Sequence, residues 1–417
     1  MHLYDVPLIF ALVGLALYMV LGGADFGAGF WQLFAGRGPR AEQVREHAHH
    51  SMAPVWEANH VWLIFVLTVF WTSYPKAFGS IASTLGAALF VAAIGIVFRG
   101  AAYALRAGAA GARESALIDT VFSLSSILAP FALGAAIGAI ATDRVPVGNA
   151  AGDLFSSWLN PTSIFIGVLA VVSCAYLAAV YLAADAARAG QQDLEREFRL
   201  RALGAGVVAG LIAVAGIFVV SGDSHSLFRS LVSGRALIAV IISAVAGAAT
   251  LVLVYRRRFE PARYGAALAV AAVVAGWALA RWPTILPGLS IDQAAAGHDT
   301  LVWVVVCVFV GGAILFPSLA LLFRLTLTGR LHAVETALPE QPGRRLGGTA
   351  SPLLARSAIA CLIAGVGLLN LADAPWAHAI GVGCLLAFVA LAARSIIPAV
   401  LAELASAGVA RAGDLDH

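Results

Sequence analysis

The segment "PTSIFIGVLAVVSCAYLAAVYLAAD", residues 161–185, contains no charged side chain before its final aspartate. A run of about 18 or more mostly apolar residues is long enough for an α-helix to cross the hydrocarbon core of a bilayer. Inside lipid, a single segment satisfies all its backbone hydrogen bonds only as a helix. This stretch therefore predicts a transmembrane helix.

The rest of the chain repeats this pattern. Of its 417 residues, 61% are hydrophobic and 12% are charged, about half the charged fraction of soluble domains. The apolar segments predict eleven spans, near 6–34, 53–71, 78–105, 115–141, 161–185, 200–220, 235–255, 262–281, 300–327, 355–371 and 376–405. The fold class is thus predicted to be an all-α, polytopic transmembrane helix bundle. The N-terminus lacks the positive region of a cleavable signal peptide, so we expect the first span to be retained.

Basic residues are distributed unequally between the two sides. The loops that follow odd-numbered spans, with the adjoining span ends, hold 19 of the Lys and Arg residues, and those that follow even-numbered spans hold 5. Lys and Arg accumulate in cytoplasmic loops. The sequence therefore predicts an N-terminus outside and a C-terminus in the cytoplasm. The net charge of the chain is small and does not suggest nucleic-acid binding.

Three acidic residues are predicted at one depth, near the cytoplasmic side of three spans. Asp25 ends the first span in "GADFGAGFW", Glu57 opens the second in "PVWEANHVWLI", and Asp119 lies more than a turn inside the fourth. Arg99, at the end of the third span, is expected at the same level. Buried carboxyls in membranes usually face the bundle interior and mark functional paths.

Two interpretations of these acids stay open. One is a proton-uptake path from the cytoplasm, with Asp25, Glu57 and Asp119 as relay groups. The other is structural: an acid paired with Arg99 that holds helices together, or acids that extend to interfacial water. Trp56 and Trp62 are expected at the headgroup level.

The remaining ligand-type residues do not predict a metal site. His47, His49 and His50 are read as solvated residues of a short loop, because their spacing fits no strong ligand motif. The four cysteines are scattered singly, so neither a disulfide framework nor a thiolate site is predicted. No histidine falls at mid-membrane depth, so we do not expect this chain to ligate haem by itself.

Several motifs together resemble subunit II of the cytochrome bd-type quinol oxidases. The most specific is "PVWEANHVWLI" at residues 54–64, and "GADFGAGFW", "VFRG" and "DTVFSLSSILAPFALGAAIGAI" are similar to family segments in the first, third and fourth spans. The resemblance covers roughly residues 1–328. Residues 329–352 are predicted to be a cytoplasmic linker, and residues 353–417 an added helical pair.

The resemblance implies a terminal oxidase of the respiratory chain that reduces O2 to water with electrons from quinol. Haem b and haem d would belong to a partner, subunit I, and a small single-span subunit and membrane lipid are further possible partners. Subunit II would bind no haem and would help to lead protons towards haem d. The complex would reside in a bacterial plasma membrane.

Residue by residue, the resemblance supports Glu57, Asp25 and Asp119 as proton-relay candidates. The supporting residues around them are Trp56, Asn59, His60, Trp62 and Arg99. Two features depart from the family: Gly22 stands where many members carry a second acid, and the family has nine spans rather than eleven.

Two other functions are considered. A proton-coupled secondary transporter would place its ionisable groups near the midplane and often shows internal repeats, whereas here these groups gather at one side. An assembly scaffold, in which every acid is structural, is the third hypothesis.

Overall fold

The structure is a computed structural model that describes residues 2–36, 38–52, 56–106, 111–327, 352–371, 374, 376–391 and 394. The described chain is almost entirely helical, as predicted. Its helices are α1 Val6–Leu17, α2 Gly23–Leu33, α3 Pro39–Met52, α4 Trp56–Ser73, α5 Pro75–Thr84, α6 Gly86–Arg106, α7 Ala112–Ala141, α8 Pro161–Arg188, α9 Gln192–Asp223, α10 His225–Leu231, α11 Gly234–Tyr255, α12 Phe259–Arg281, α13 Ile291–Ala294, α14 His298–Leu327, α15 Pro352–Leu371 and α16 Trp376–Leu391.

Eight helices of the described residues are long and apolar enough to cross a membrane. The first combines α1 and α2 over Leu3–Leu33, and the others lie in α6, α7, α8, α9, α11, α12 and α14. Three shorter apolar helices, Asn59–Ser73, Arg356–Gly365 and Trp376–Leu391, lie where the other three spans were predicted. The multi-pass helical class is confirmed, and the count of eleven stays a prediction.

The first span is not a uniform α-helix. A π-helical turn, Tyr18–Gly22, joins α1 to α2. Such turns often occur at functional sites because they redirect the side chains that follow. Asn59, at the beginning of α4, donates a hydrogen bond from Nδ2 to the Leu21 carbonyl in this turn at 3.2 Å. This contact ties the second span to the first just before Asp25.

Glycines bring α2 very close to two neighbouring helices. A Cβ added to Gly27 would lie 1.9 Å from the Cys174 carbonyl oxygen of α8, and one added to Gly29 would lie 2.2 Å from Ser126 Oγ of α7. Both positions therefore exclude a larger residue. This close approach sets the distance between α2 and the polar residues of α7.

The segment with three histidines is not the loop that we predicted. Residues 39–52 form α3, whose buried positions Ala41, Val44 and Ala48 recur at helical spacing. His47 Nε2 lies 3.0 Å from the Leu182 carbonyl oxygen of α8. The expectation of a loop was wrong, because alanines and a valine between the polar residues give this segment the apolar face of a packed helix.

At the opposite end of the bundle, short elements cap the spans. The strands Thr284–Leu286 (β1) and Leu289–Ser290 (β2) form an antiparallel hairpin that the sequence did not predict. In the α7–α8 loop, the Asp153 carboxylate accepts hydrogen bonds from the backbone N–H groups of Phe155 and Ser156. These bonds hold the pKa of Asp153 below its ordinary value.

Contacts divide the chain into two units, Met1–Gly311 and Gly312–His417. Within the second unit, Gly365 of α15 faces Leu385 of α16. Most of the predicted linker, residues 329–352, lies outside the described residues. The predicted domain boundaries therefore stay predictions.

Candidate functional site

The site is built around one buried ion pair between the first and third spans. Arg99 of α6 donates from Nη1 to Asp25 Oδ2 and from Nη2 to Asp25 Oδ1, both at 2.7 Å. Its Nη2 also donates to the Asp25 carbonyl oxygen at 3.1 Å. Asp25 is 1% exposed and Arg99 is 3% exposed. Of the sequence-predicted candidates, these two are brought into direct contact.

The rest of the guanidinium is held by residues of α2 and α7. Arg99 Nε donates to Ser126 Oγ at 3.0 Å, and this hydroxyl in turn donates to the Phe122 carbonyl at 2.7 Å. The rings of Phe122 and Phe26 lie 4.5 and 5.0 Å from the guanidinium carbon. Cation–π contacts and a hydroxyl acceptor stabilise the positive charge independently of Asp25.

This arrangement has a clear electrostatic consequence. A buried charge whose partner is lost is strongly destabilising, whereas a hydrogen-bonded pair can be accommodated. The bidentate geometry fixes the planes of both groups. Arg99 keeps its contacts with Ser126, Phe26 and Phe122 in addition to those with Asp25.

The first turns of the second span lie against this pair. His60 of α4 packs edge-on against the rings of Tyr18 and Phe26, with centroids 6.3 and 6.1 Å apart. Trp62 packs against the same aromatic cluster. The side chains of Trp56 and Glu57 lie outside the described part of the chain, so their predicted roles stay predictions.

Asp119 does not join the ion pair. Its Oδ1 lies 3.1 Å from Arg106 Nη1, and both side chains are 23% exposed. Asp119 and Arg106 therefore form a second, more accessible pair between α7 and α6. Asp119 pairs with Arg106 rather than with Arg99, because Arg106 lies two helical turns beyond Arg99 on α6, nearer to the end of the bundle at which α7 begins.

A narrow cavity of about 10 Å³ adjoins the buried pair, on the side of the bundle whose loops carry most of the arginines. Its walls come from α2, α3, α6 and α7, and its lining residues are Asp25, Ala28, Gln32, Ala48, His49, Arg99, Tyr103 and Phe122. This volume is close to the smallest that holds one water molecule. Gln32, His49 and Tyr103 were not predicted as site residues; the helical spacing of Asp25, Ala28 and Gln32 on α2 is the signal that could have found Gln32.

Among the described residues, no group of three or more His, Cys, Asp or Glu side chains is placed to hold a metal ion. The histidines that the structure describes lie near helix ends or on α3, away from the middle of the spans.

A family model described as cytochrome bd terminal oxidase subunit II matches residues 3–326. The chain belongs to this family. The match covers the eight long spans and the Asp25–Arg99 pair, and it stops before α15. Membership of the cytochrome bd subunit II family confirms the resemblance drawn from the motifs, and it argues against the transporter hypothesis.

Individual members of the family show the extent of the likeness. The chain is 26% identical over 237 residues to the cytochrome bd-I ubiquinol oxidase subunit 2 of Escherichia coli K12, an alignment of 52% of this chain and 58% of that protein. It is 26% identical over 132 residues to the cytochrome bd ubiquinol oxidase subunit 2 of Bacillus subtilis, covering 32% and 38% of the two chains.

A solved structure shows the fold of the family. The structure of bd oxidase from Geobacillus thermodenitrificans contains a chain that matches with a TM-score of 0.62 and 24% identity. The match covers 79% of this chain and 99% of the other. The helical bundle described above is therefore the fold of a known bd oxidase chain.

Proposed function

We propose that this chain is the haem-free subunit II of a quinol:O2 oxidoreductase of the cytochrome bd type. Family membership supports this proposal, and so does the likeness to relatives that are named ubiquinol oxidase subunits. The partner is a subunit I that carries haem b and haem d, and quinol is the electron donor. Haem chemistry takes place in the partner, because the described residues of this chain do not fit axial ligation.

The specific role of this chain is part of a proton-uptake route from the cytoplasm. The observation that supports this role is the buried Asp25–Arg99 pair with a cavity beside it on the arginine-rich side. A proton that arrives at the Asp25 carboxylate neutralises it, while Phe26, Phe122 and Ser126 keep the Arg99 guanidinium in position. Release of that proton towards the partner restores the pair.

Glu57 and Asp119 complete the proposed route. Glu57 begins α4 at the same end as Asp25, and Asp119 forms an accessible pair with Arg106. Asn59 and Trp62 fix α4 against the first span. In this orientation the N-terminus is outside a bacterial plasma membrane and the C-terminus is cytoplasmic, following the distribution of arginines.

The test uses the complex purified from host membranes together with subunit I. Reduced-minus-oxidised absorbance should show haem bands that co-purify with this chain. Quinol-driven O2 uptake should fall by about 100-fold in Asp25→Asn, the lower range for loss of a positioned proton-transfer group. The asparagine keeps the size of the side chain and removes its ability to carry a proton.

The matched control is Asp223→Asn, in an ion pair with Arg144 at the opposite end of the bundle at 2.7 Å. This variant should retain its O2 uptake. Glu57→Gln should slow O2 uptake across the pH range. A wild-type rate in Asp25→Asn with intact haem bands would refute the proton route.

A further inference from the structure

The cavity beside Asp25 contains a buried acceptor that the ion pair does not use. Gln32 lines the cavity and is 3% exposed, and its Oε1 accepts no hydrogen bond from the described residues. A buried amide oxygen without a donor lowers the stability of the fold. Because the cavity has about the volume of one water molecule, a water molecule held there would donate to Gln32.

His49 forms the other wall of the same cavity. It lies on α3 and is half-buried, with its ring tilted against the Tyr103 ring at a centroid distance of 5.0 Å. Tyr103 follows Arg99 by one helical turn on α6, so both face the cavity. Imidazole is the side chain whose ordinary titration range spans neutral pH. The imidazole of His49 lines the cavity beside the ion pair.

The surroundings of His49 are mixed in charge. Three charged or titratable groups of neighbouring helices line the cavity together with His49. They are Asp25 on α2, and Arg99 and Tyr103 on α6. The α7 helix contributes Phe122, which is uncharged. Asp25 and Arg99 neutralise each other, so the cavity does not repel a protonated imidazole strongly.

We infer that His49 is the residue through which protons enter the Asp25 site, and that Gln32 holds the water molecule between them. This inference rests on the proposed function and assigns the uptake step to a residue outside the motifs of the first and second spans. His49 takes a proton from cytoplasmic water and passes one to the water on Gln32. That water passes one to Asp25, and the neutral imidazole is then protonated again from the cytoplasm.

Gln32 acts here as a positioning residue. Its side chain lies about two helical turns beyond Asp25 on the same face of α2, and it lines the same cavity as Asp25 and His49. Gln32→Leu keeps the approximate volume and removes the acceptor. The leucine variant should therefore fold and lose the ordered water.

The experiment measures quinol-driven O2 uptake of the complete complex as a function of pH in three variants. His49→Gln keeps the size and hydrogen-bonding capacity of the side chain but does not titrate, and His49→Ala leaves space for added imidazole. Both should slow O2 uptake by about ten-fold, less than the roughly 100-fold of a direct acid–base group because water itself can still conduct protons. The defect should grow as the pH rises, and imidazole in the buffer should restore the rate of His49→Ala. Gln32→Leu should show the same pH-dependent defect without imidazole rescue.

The matched control is His47→Gln, two residues away on the same helix, where the imidazole contacts the Leu182 carbonyl instead of the cavity. It should keep the wild-type pH profile. If Asp25→Asn is slow and both His49 variants have the wild-type profile, the assignment of His49 is overturned while the proton route through Asp25 stands. If Asp25→Asn has the wild-type rate, the route and this inference fail together.

Discussion

Replacing Arg99 by methionine is a direct test of the energetics of the buried pair. The change removes the three hydrogen bonds that Arg99 donates to Asp25, and leaves a carboxylate that is 1% exposed. Removing one member of a buried pair costs about 3–5 kcal/mol. The free energy of unfolding should fall by this amount in Arg99→Met.

The double variant Asp25→Leu/Arg99→Met should be far less destabilised than the arginine variant alone. Replacement of both charges by apolar groups of similar size is often neutral or stabilising by about 1–4 kcal/mol. The flanking groups remain satisfied, because the Ser126 hydroxyl still donates to the Phe122 carbonyl and the Phe122 ring can pack against methionine. We expect the double variant to recover most of the stability lost in Arg99→Met.

The assay is a double-mutant cycle of the purified complex, unfolded in mixed detergent micelles by increasing SDS and followed by circular dichroism. Arg144→Met is the control, because the Arg144–Asp223 pair is partly exposed at 36% and 17% and should contribute about 0–1 kcal/mol. If the double variant is destabilised by the sum of the two single changes, the carboxylate and guanidinium are not coupled and the reasoning is refuted.

Three further changes address the scaffold of the site. Gly29→Ala should lower the free energy of unfolding by about 1–3 kcal/mol, since the added Cβ would lie 2.2 Å from Ser126 Oγ. SDS unfolding measures this loss. A variant with wild-type stability would contradict the close approach of α2 and α7. Asn59→Leu should cost about 1–3 kcal/mol in the same assay because the Leu21 carbonyl loses its side-chain donor, and a neutral effect would mean that this bond does not fasten the π-helical turn. The lowered pKa of Asp153 stabilises the fold fully above the ordinary pKa of aspartate, and this contribution is lost as the pH falls through the folded-state pKa. The stability of Asp153→Asn should therefore be below that of the wild type at neutral pH and equal to it in acid; a difference that persists in acid would disprove the carboxylate as its source.

The helical class followed from the sequence because apolar run length alone decides it. The common depth of Asp25 and Arg99 also followed, since residues counted along a helix convert directly into distance. An acid paired with Arg99 was one of the two interpretations of the sequence. Which acid makes the pair did not follow, because 74 residues separate Asp25 from Arg99 and the rotation of each span about its axis is set by packing. Gly27 and Gly29 are small enough for another helix to approach closely, but the sequence does not indicate which helix approaches.

The neighbourhood of His49 could not be found from its sequence. The polar residues around it indicate a loop, and only the packing of Ala41, Val44 and Ala48 turns the segment into a helix that closes a cavity. Asp119 was likewise grouped with Asp25 and Glu57 by its depth in the span, and its partner Arg106 was not predicted. In both cases the decisive contact is tertiary.

The π-helical turn at Tyr18–Gly22 has a consequence for insertions and deletions. It holds one more residue than a regular α-helix would hold over the same length. Each residue of α2 is therefore shifted by one position from where a continuous α-helix would place it. Deleting one residue from this turn would convert it into regular α-helix, and the residues beyond it, Asp25 included, would keep their orientation about the helix axis. Deleting a second residue would shorten the span by about 1.5 Å and rotate everything beyond it by about 100°, which would swing Asp25 away from Arg99 while leaving hydrophobicity almost unchanged. The segment therefore has room to lose one residue but not two.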